Sequence, residues 1–404
     1  MASTTLTKTR SKLGLILLAY IAFISLGLPD GLLGVAWPSM RKDFGMPLDA
    51  LGLMLIASMI GYLTSSFFSG KVMARLGVGR LLAVSCMLTG AGLIGYTLAP
   101  AYWLIVALGV VGGLGAGAID AGINTYIASE HGEGLMQWLH ASFGIGVTLG
   151  PIIMTAGINL FQTWRTGYLV VGSAQIALAA CFAVTAGMWK REDGSAKQEE
   201  DKRLLDYKTS MRETVRQVGV WVSVLLFFVY VGVELTLGHW SYSLLTESRG
   251  IAPETAGLLA GGYWGMFTVG RVLAGLYAQK AGTDLLLRGS MLSALAGALL
   301  LLWNPSDTVS LIGIAVVGFS IAPIFPALVS STGRRVSARH AANTIGMQIS
   351  ASGLGGALLP ALAGALARRI SLEVIPVFLV SLIVLLLVLY FASLWMGKRQ
   401  AALD

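Results

Sequence analysis

Charge is what this sequence has least of. Only 12% of its 404 residues are Asp, Glu, Lys or Arg, against about 25% in a soluble globular domain. With 55% hydrophobic residues and a mean hydropathy of +0.76, a soluble fold would have to build its surface from apolar side chains. Intrinsic disorder fails on the same count, because it needs low hydrophobicity and high charge. Cysteine is scarce too. Cys86 and Cys181 both fall inside apolar runs, which excludes a disulfide framework and a Cys-based metal site. The chain also lacks a Walker lysine motif, a His-Glu-x-x-His and a Gly-x-Ser-x-Gly. We therefore expect no enzyme activity, no catalytic residue, no cofactor and no metal, with energy drawn from a gradient.

What the chain has instead is apolar length. A helix needs about 20 apolar residues to cross a bilayer. Twelve such runs stand at about 13–38, 50–69, 80–98, 101–129, 135–160, 164–188, 217–243, 254–278, 284–303, 308–330, 341–366 and 374–396. The run from Leu13 follows Lys8, Arg10 and Lys12. It is too long for a signal peptide and lacks an Ala-x-Ala site, so it reads as an uncleaved first membrane helix. One long hydrophilic stretch, from Lys190 to Arg216, divides the runs into two sets of six. The expected organisation is an N-terminal bundle (1–189), a cytoplasmic linker (190–216) and a C-terminal bundle (217–404).

The net charge of +8 sits in the short gaps between runs. Nothing concentrates it on one nucleic-acid-binding face. Alternate gaps, beginning with the N-terminus, hold 21 Lys and Arg, whereas the opposite gaps hold 6. By the positive-inside bias, both termini and the linker face the cytoplasm. The expected location is a plasma membrane, the bacterial inner membrane, for a multi-pass monomer embedded in lipid.

The two sets of runs repeat each other. Gly70 matches Gly275, Val110-Val111-Gly112 matches Val316-Val317-Gly318, and ASFGIGVTLGP (141–151) echoes ASGLGGALLP (351–360). The offsets stay between 205 and 210. A parallel duplication of six helices is one of the repeat architectures of secondary transporters.

A carboxylate in hydrocarbon is costly, so an intramembrane acid is a functional hypothesis by default. Three qualify: Asp30 in helix 1, Asp120 in helix 4 and Glu234 in helix 7. All three are candidates for proton coupling. Asp30 follows Pro29 and precedes Gly31 and Gly34, a context that predicts a broken helix with free backbone groups beside the acid. On helix 4, Asp120 and Asn124 share one stripe at four-residue spacing, while Gly109, Gly113 and Gly117 form a neighbouring stripe suited to close packing. Further candidate substrate ligands are Gln137, His140, Tyr230, Glu234, Trp240, Tyr263, Trp264, Asn343 and Gln348. Amides and carboxylates hydrogen-bond hydroxyls, and aromatic faces cover the C–H face of a sugar ring. Trp103, Trp164 and Trp395 fit interfacial anchors instead.

The segment GKVMARLGVGR (70–80) resembles the signature between helices 2 and 3 of major facilitator superfamily transporters. It departs from it in one place, with Ala74 where the family has an acid before Arg75. By that likeness Gly70, Arg75, Gly77 and Arg80 belong to a gating loop. GAIDAGINTY, QWLHASFGIG, YVGVELTLGHW, GYWGMFTVGRVLAG and APIFPALVS resemble segments of the fucose-permease and sodium-dependent glucose transporter-like branch. The resemblance implies a twelve-helix, all-α fold of two pseudo-symmetric bundles. It also gives Asp30 and Asp120 roles in proton coupling and sugar binding, and makes Asn124 a substrate ligand. The Pro-Glu-Ser-Pro-Arg signature of classical sugar porters is absent after helix 6, where Trp189-Lys190-Arg191 stands.

The expected function is proton-coupled symport of a sugar or sugar-like polyol. A drug/proton antiporter is the rival, because Gly146-xxx-Gly150-Pro151 partly matches the antiporter signature, with Ile153-Met154 where two glycines would follow. Sodium-coupled sugar uptake stays open beside it. An amide-lined site favours sugar, and an apolar aromatic box favours drugs.

Overall fold

Inside a bilayer no water is available to the peptide groups, so an apolar run satisfies them as a helix. The computed structural model describes residues 2–130, 133–189 and 209–401. Its long helices are α1 (Ala2–Asp43), α2 (Leu51–Leu76), α3 (Val78–Leu98), α4 (Tyr102–Glu130), α5 (Glu133–Phe161) and α6 (Arg165–Thr185). They are followed by α7 (Val218–Ser243), α8 (Pro253–Ala281), α9 (Thr283–Trp303), α10 (Asp307–Ile321), α11 (Ala338–Arg369) and α12 (Val374–Ala401). Among the described residues, 11 spans are long and apolar enough to cross a membrane. The exception is α8, which carries Glu254 and Arg271. Most of the 190–216 linker, residues 190–208, lies outside the described residues. Its end holds a short helix, Met211–Thr214, capped by the Ser210 side chain.

The chain divides into two compact units: residues 1–46 with 53–193, and residues 47–52 with 194–404. Each repeats the same pairing. In the first, α1 packs on α5, and α3 on α4 and α6; in the second, α7 packs on α11, and α9 on α10 and α12. The core of the first unit gathers Ala19, Phe23, Leu82, Cys86, Ile119, Ile123 and Phe182. In the second unit, Val220, Val224, Val336 and Ala351 form a smaller cluster where α7 meets α11.

The helix break expected at Pro29 is not there. α1 runs without interruption through Pro29 and Pro38. Glycines hold it: a Cβ on Gly27 would lie 2.5 Å from the Phe143 carbonyl oxygen, and one on Gly31 would lie 2.5 Å from that of Val147. Backbone contact with α5 on both sides of Pro29 supports the turns that proline weakens. The broken helix is α10. It ends at Ile321, and a second short helix, Ile324–Ser330, starts after Pro323, which has no N–H to continue the ladder.

The segment 70–80 is almost wholly helical. Gly77 alone separates α2 from α3, at φ +77° and ψ 163°. Gly282, 205 positions later, separates α8 from α9 at φ +75° and ψ 149°. The same conformation recurs before α11, but on a serine: Ser337 has φ +70° and ψ 150°. This region belongs essentially to glycine and costs other residues about 1–3 kcal/mol. The Ser337 hydroxyl offsets none of that, being buried without a hydrogen-bond partner. Ser337→Gly is therefore expected to stabilise the protein by about 1–3 kcal/mol, read as a higher midpoint in thermal unfolding in detergent. An unchanged or lowered midpoint would show that the serine is unstrained.

Two groups of charges at the helix ends are paired. Arg249 donates to both oxygens of Glu373, at 3.0 and 2.8 Å, and to the Leu301 carbonyl. The guanidinium holds the Glu373 carboxyl below the usual glutamate range, against the opposing effect of burial. Asp43 accepts from Trp164 Nε1 at 2.8 Å and from Arg165 at 2.6 Å, tying α1 to α6. Trp164 is thus buried packing and not an interfacial anchor, whereas Trp103 and Trp395 are exposed.

Candidate functional site

The first unit builds its polar centre on the glycine stripe of α4. Gly113 and Gly117 bring α4 against the Ser58 and Tyr62 carbonyls of α2, closer than any side chain allows. That approach lets the Tyr62 hydroxyl donate to Asp120 Oδ2. Asn124 Nδ2 donates to Asp120 Oδ1 at 2.8 Å and to the Asp120 carbonyl at 3.0 Å. Both carboxylate oxygens thus accept a hydrogen bond, one from each neighbour. Asp30, exposed on α1, acts electrostatically on the Tyr62 phenol. The Ser66 hydroxyl, one turn along α2, donates to the Gly117 carbonyl at 3.1 Å. Asp120 and Asn124 therefore gather with a residue that sequence reasoning missed, Tyr62, on whose phenol Asp30 acts electrostatically.

The repeat locates the matching positions in the second unit. Gly318 meets the Tyr263 carbonyl as Gly113 meets that of Ser58, and each partner is displaced by 205. Gly355 meets the Phe228 carbonyl as Gly146 meets that of Ile24, displaced by 209 and 204. On this register Glu234 stands for Asp30, Phe267 for Tyr62, Arg271 for Ser66 and Phe325 for Asp120. One acid is retained, and a cation and two rings replace the hydroxyls and the second acid.

Glu234 and Arg271 attract each other as opposite charges. The guanidinium lies 4.4 Å from the Phe267 ring centre. The Tyr263 hydroxyl donates to the Glu234 backbone carbonyl at 2.8 Å. Tyr230 is fully buried beside Glu234, its ring 6.0 Å from that of Phe325, and its hydroxyl has no hydrogen-bond partner of regular geometry. Arg271 was the signal that could have been used, since it is a lone cation inside an apolar run.

Of the other candidates, Trp264 adjoins this group, its ring 5.7 Å from that of Phe267, and the rest lie elsewhere. Trp240 is buried and donates to the Pro360 carbonyl at 2.9 Å, and Trp264 packs over Gly238. Gln348 is buried and bonded to Ser223 at 2.7 Å and to Thr332 at 3.1 Å. Asn343 donates to the Thr209 carbonyl and Thr214 Oγ1, both at 3.0 Å. Those amides join a cluster at the start of α11 that includes Arg335, whose burial lowers its pKa to about 10. His140 is exposed, its ring edge-on to Phe23 at 5.8 Å. The Gln137 side chain lies outside the described residues. Gly70, Arg75, Gly77 and Arg80 are all exposed.

A family model described as the Major Facilitator Superfamily matches residues 19–244 and 222–403. The chain belongs to that superfamily. It is therefore a multi-pass membrane protein of a transporter family whose members move small molecules. It is 25% identical over 384 residues to sodium-dependent glucose transporter 1 of Homo sapiens, covering 85% of this chain and 72% of that protein. It is 21% identical over 359 residues to the glucose/mannose transporter GlcP of Bacillus subtilis, covering 87% of each. The crystal structure of a D-xylose-proton symporter superposes with a TM-score of 0.71 at 16% identity, covering 95% of this chain and 96% of that one. That likeness supports the all-α fold.

Proposed function

We propose that this superfamily member is a proton-coupled symporter of a sugar or sugar-like polyol, working by alternating access in a plasma membrane with both termini in the cytoplasm. The observation that carries the reading is the Asp30–Tyr62–Asp120–Asn124 group. It combines two acids, one of them exposed, with an amide and a phenol. A proton carrier needs an acid that exchanges with solvent, and Asp30 is the exposed one. A polyol ligand needs fixed donors and acceptors, and Asp120 with Asn124 offers them. Relatives named as sodium-dependent glucose transporter 1 and glucose/mannose transporter GlcP agree with that chemistry. Glu234 has a built-in counter-charge in Arg271, so we assign it to ligand binding rather than proton carriage.

The test is uptake of labelled D-glucose and D-mannose into proteoliposomes, driven by an inward proton gradient in sodium-free buffer. Accumulation that collapses with a protonophore supports the reading. Accumulation that requires sodium instead supports sodium coupling, which the name of the human relative favours. Efflux of a cationic dye with no sugar flux would overturn both.

A further inference from the structure

The described end of the linker is seated on the first turns of α11 by side chains. Thr214, from the linker, and His340, from α11, are both completely buried there. The Thr214 hydroxyl has one hydrogen, which goes to the Ser210 carbonyl at 3.2 Å. It therefore accepts twice, from Asn343 Nδ2 at 3.0 Å and from His340 Nδ1 at 3.1 Å. That assignment puts the imidazole hydrogen on Nδ1 and leaves Nε2 bare. Nε2 is buried without a hydrogen-bond partner. Asn343 also donates to the Thr209 carbonyl at 3.0 Å. A half-exposed ion pair, Glu213 with Arg339 at 3.6 Å, joins the same two segments.

We propose that this contact is a pH-sensitive clasp, in which neutral His340 holds the linker end on α11 and protonated His340 releases it. A second proton enters at Nε2, where the seated ring has neither water nor an acceptor to share the charge. Of the nearest charges, Arg339 on the same helix repels it and Glu213 attracts it. The helix Thr332–Val336 brings Arg334 and Arg335, and the linker brings Arg212 and Arg216, all cations. α7 carries no charge before Glu234, and α12 offers only the Tyr390 phenol before Lys398. Asp49 meets α11 only at its far end, through Arg368. No second acid therefore compensates the proton. Once released into water, an imidazole takes it near the ordinary value of about 6.5. The released form thus binds more protons than the seated one. The clasp is firm above that pH and weakens below it, by up to about tenfold per pH unit. In the topology proposed above, the cytoplasm sets this pH. Release adds residues 209–217 to the covalent connection between the two sets of six helices.

The test is amide hydrogen exchange on the full chain in lipid nanodiscs, at about pH 7.5 and about pH 5.5, on either side of the free imidazole value. Rates are corrected for intrinsic exchange at each pH. The amides of residues 213–217 are all hydrogen-bonded within the seated segment and report its release. In wild type their protection should fall about tenfold on acidification. His340→Asn keeps a side-chain N–H near the Nδ1 position and cannot take a proton, so its protection should be the same at both pH values. Thr214→Val keeps the histidine but removes the hydroxyl it bonds. Its protection should already be low at the higher pH and drop no further. The Ser310 amide, bonded to the Ser306 carbonyl at a helix start without a histidine, is the reference and should not change. A wild type without the step would overturn the clasp. So would a step that persists in His340→Asn or in Thr214→Val, or an equal step at Ser310. None of these readings depends on which substrate is carried.

Discussion

Asp30→Asn is expected to abolish accumulation of substrate while leaving exchange across the membrane intact. The asparagine keeps the shape of the protonated acid and cannot release a proton. Asp30 is exposed on α1 and acts on Tyr62, which donates to Asp120, so the change reaches the second acid through one phenol. Moving a carrier with a bare carboxylate through hydrocarbon is costly, and neutralisation removes that cost. A membrane potential supplies about 2.3 kcal/mol per charge per 100 mV, enough for roughly fifty-fold accumulation of a ligand that travels with one proton. Vesicles carrying the variant should therefore equilibrate labelled sugar and show counterflow, but reach an internal concentration no higher than the external one. Concentrative uptake by the variant would move the coupling role to another acid. Asp120→Asn should behave differently. It disturbs the acceptor of both Tyr62 and Asn124, so binding itself should weaken, by about 1–3 kcal/mol if a buried donor is left unpaired.

Much of the fold was legible because membrane helices declare themselves by length, and eleven of the twelve apolar runs satisfy that criterion as helices. The glycine stripe of α4 was legible too: Gly113 and Gly117 do meet the α2 backbone. So was the Asp120–Asn124 pair, whose spacing is local. What escaped were the partners far away in sequence. Tyr62 reaches Asp120 across 58 positions, and nothing about a tyrosine in an apolar run marks it as a donor to a distant acid. Arg271 was visible as a lone cation inside an apolar run but needed Glu234, on the preceding helix, to acquire meaning. The amides Asn343 and Gln348 look in sequence like Asn124, yet their hydrogen bonds are spent on Thr209, Thr214, Ser223 and Thr332. Proline misled for a related reason. Pro29 and Pro323 carry the same local defect, and only the packing around them decides which helix breaks.

Adjacent glycines in α4 should respond to the same substitution with opposite sign. A Cβ on Gly113 would run into the Ser58 carbonyl of α2, a backbone atom that cannot turn aside. Gly113→Ala should force α2 and α4 apart and cost about 1–3 kcal/mol or more by overpacking. The separation would also stretch the Tyr62–Asp120 hydrogen bond that this contact sets up, so ligand binding should fall along with stability. Gly112, one residue earlier, has nothing within 4 Å of its would-be Cβ. There Gly112→Ala should stabilise by up to about 1 kcal/mol, the helix preference of alanine over glycine. The repeat supplies an internal check, because Gly318 meets the Tyr263 carbonyl, at 2.5 Å, as Gly113 meets that of Ser58. Gly318→Ala should lower the unfolding midpoint about as much as Gly113→Ala, and it should disturb the Tyr263 contact to Glu234 instead of Asp120. Thermal unfolding of the three variants, with sugar binding measured on each, decides the matter. Equal tolerance at positions 112 and 113 would mean that the close approach of α2 and α4 does not hold the Tyr62–Asp120 pair in place.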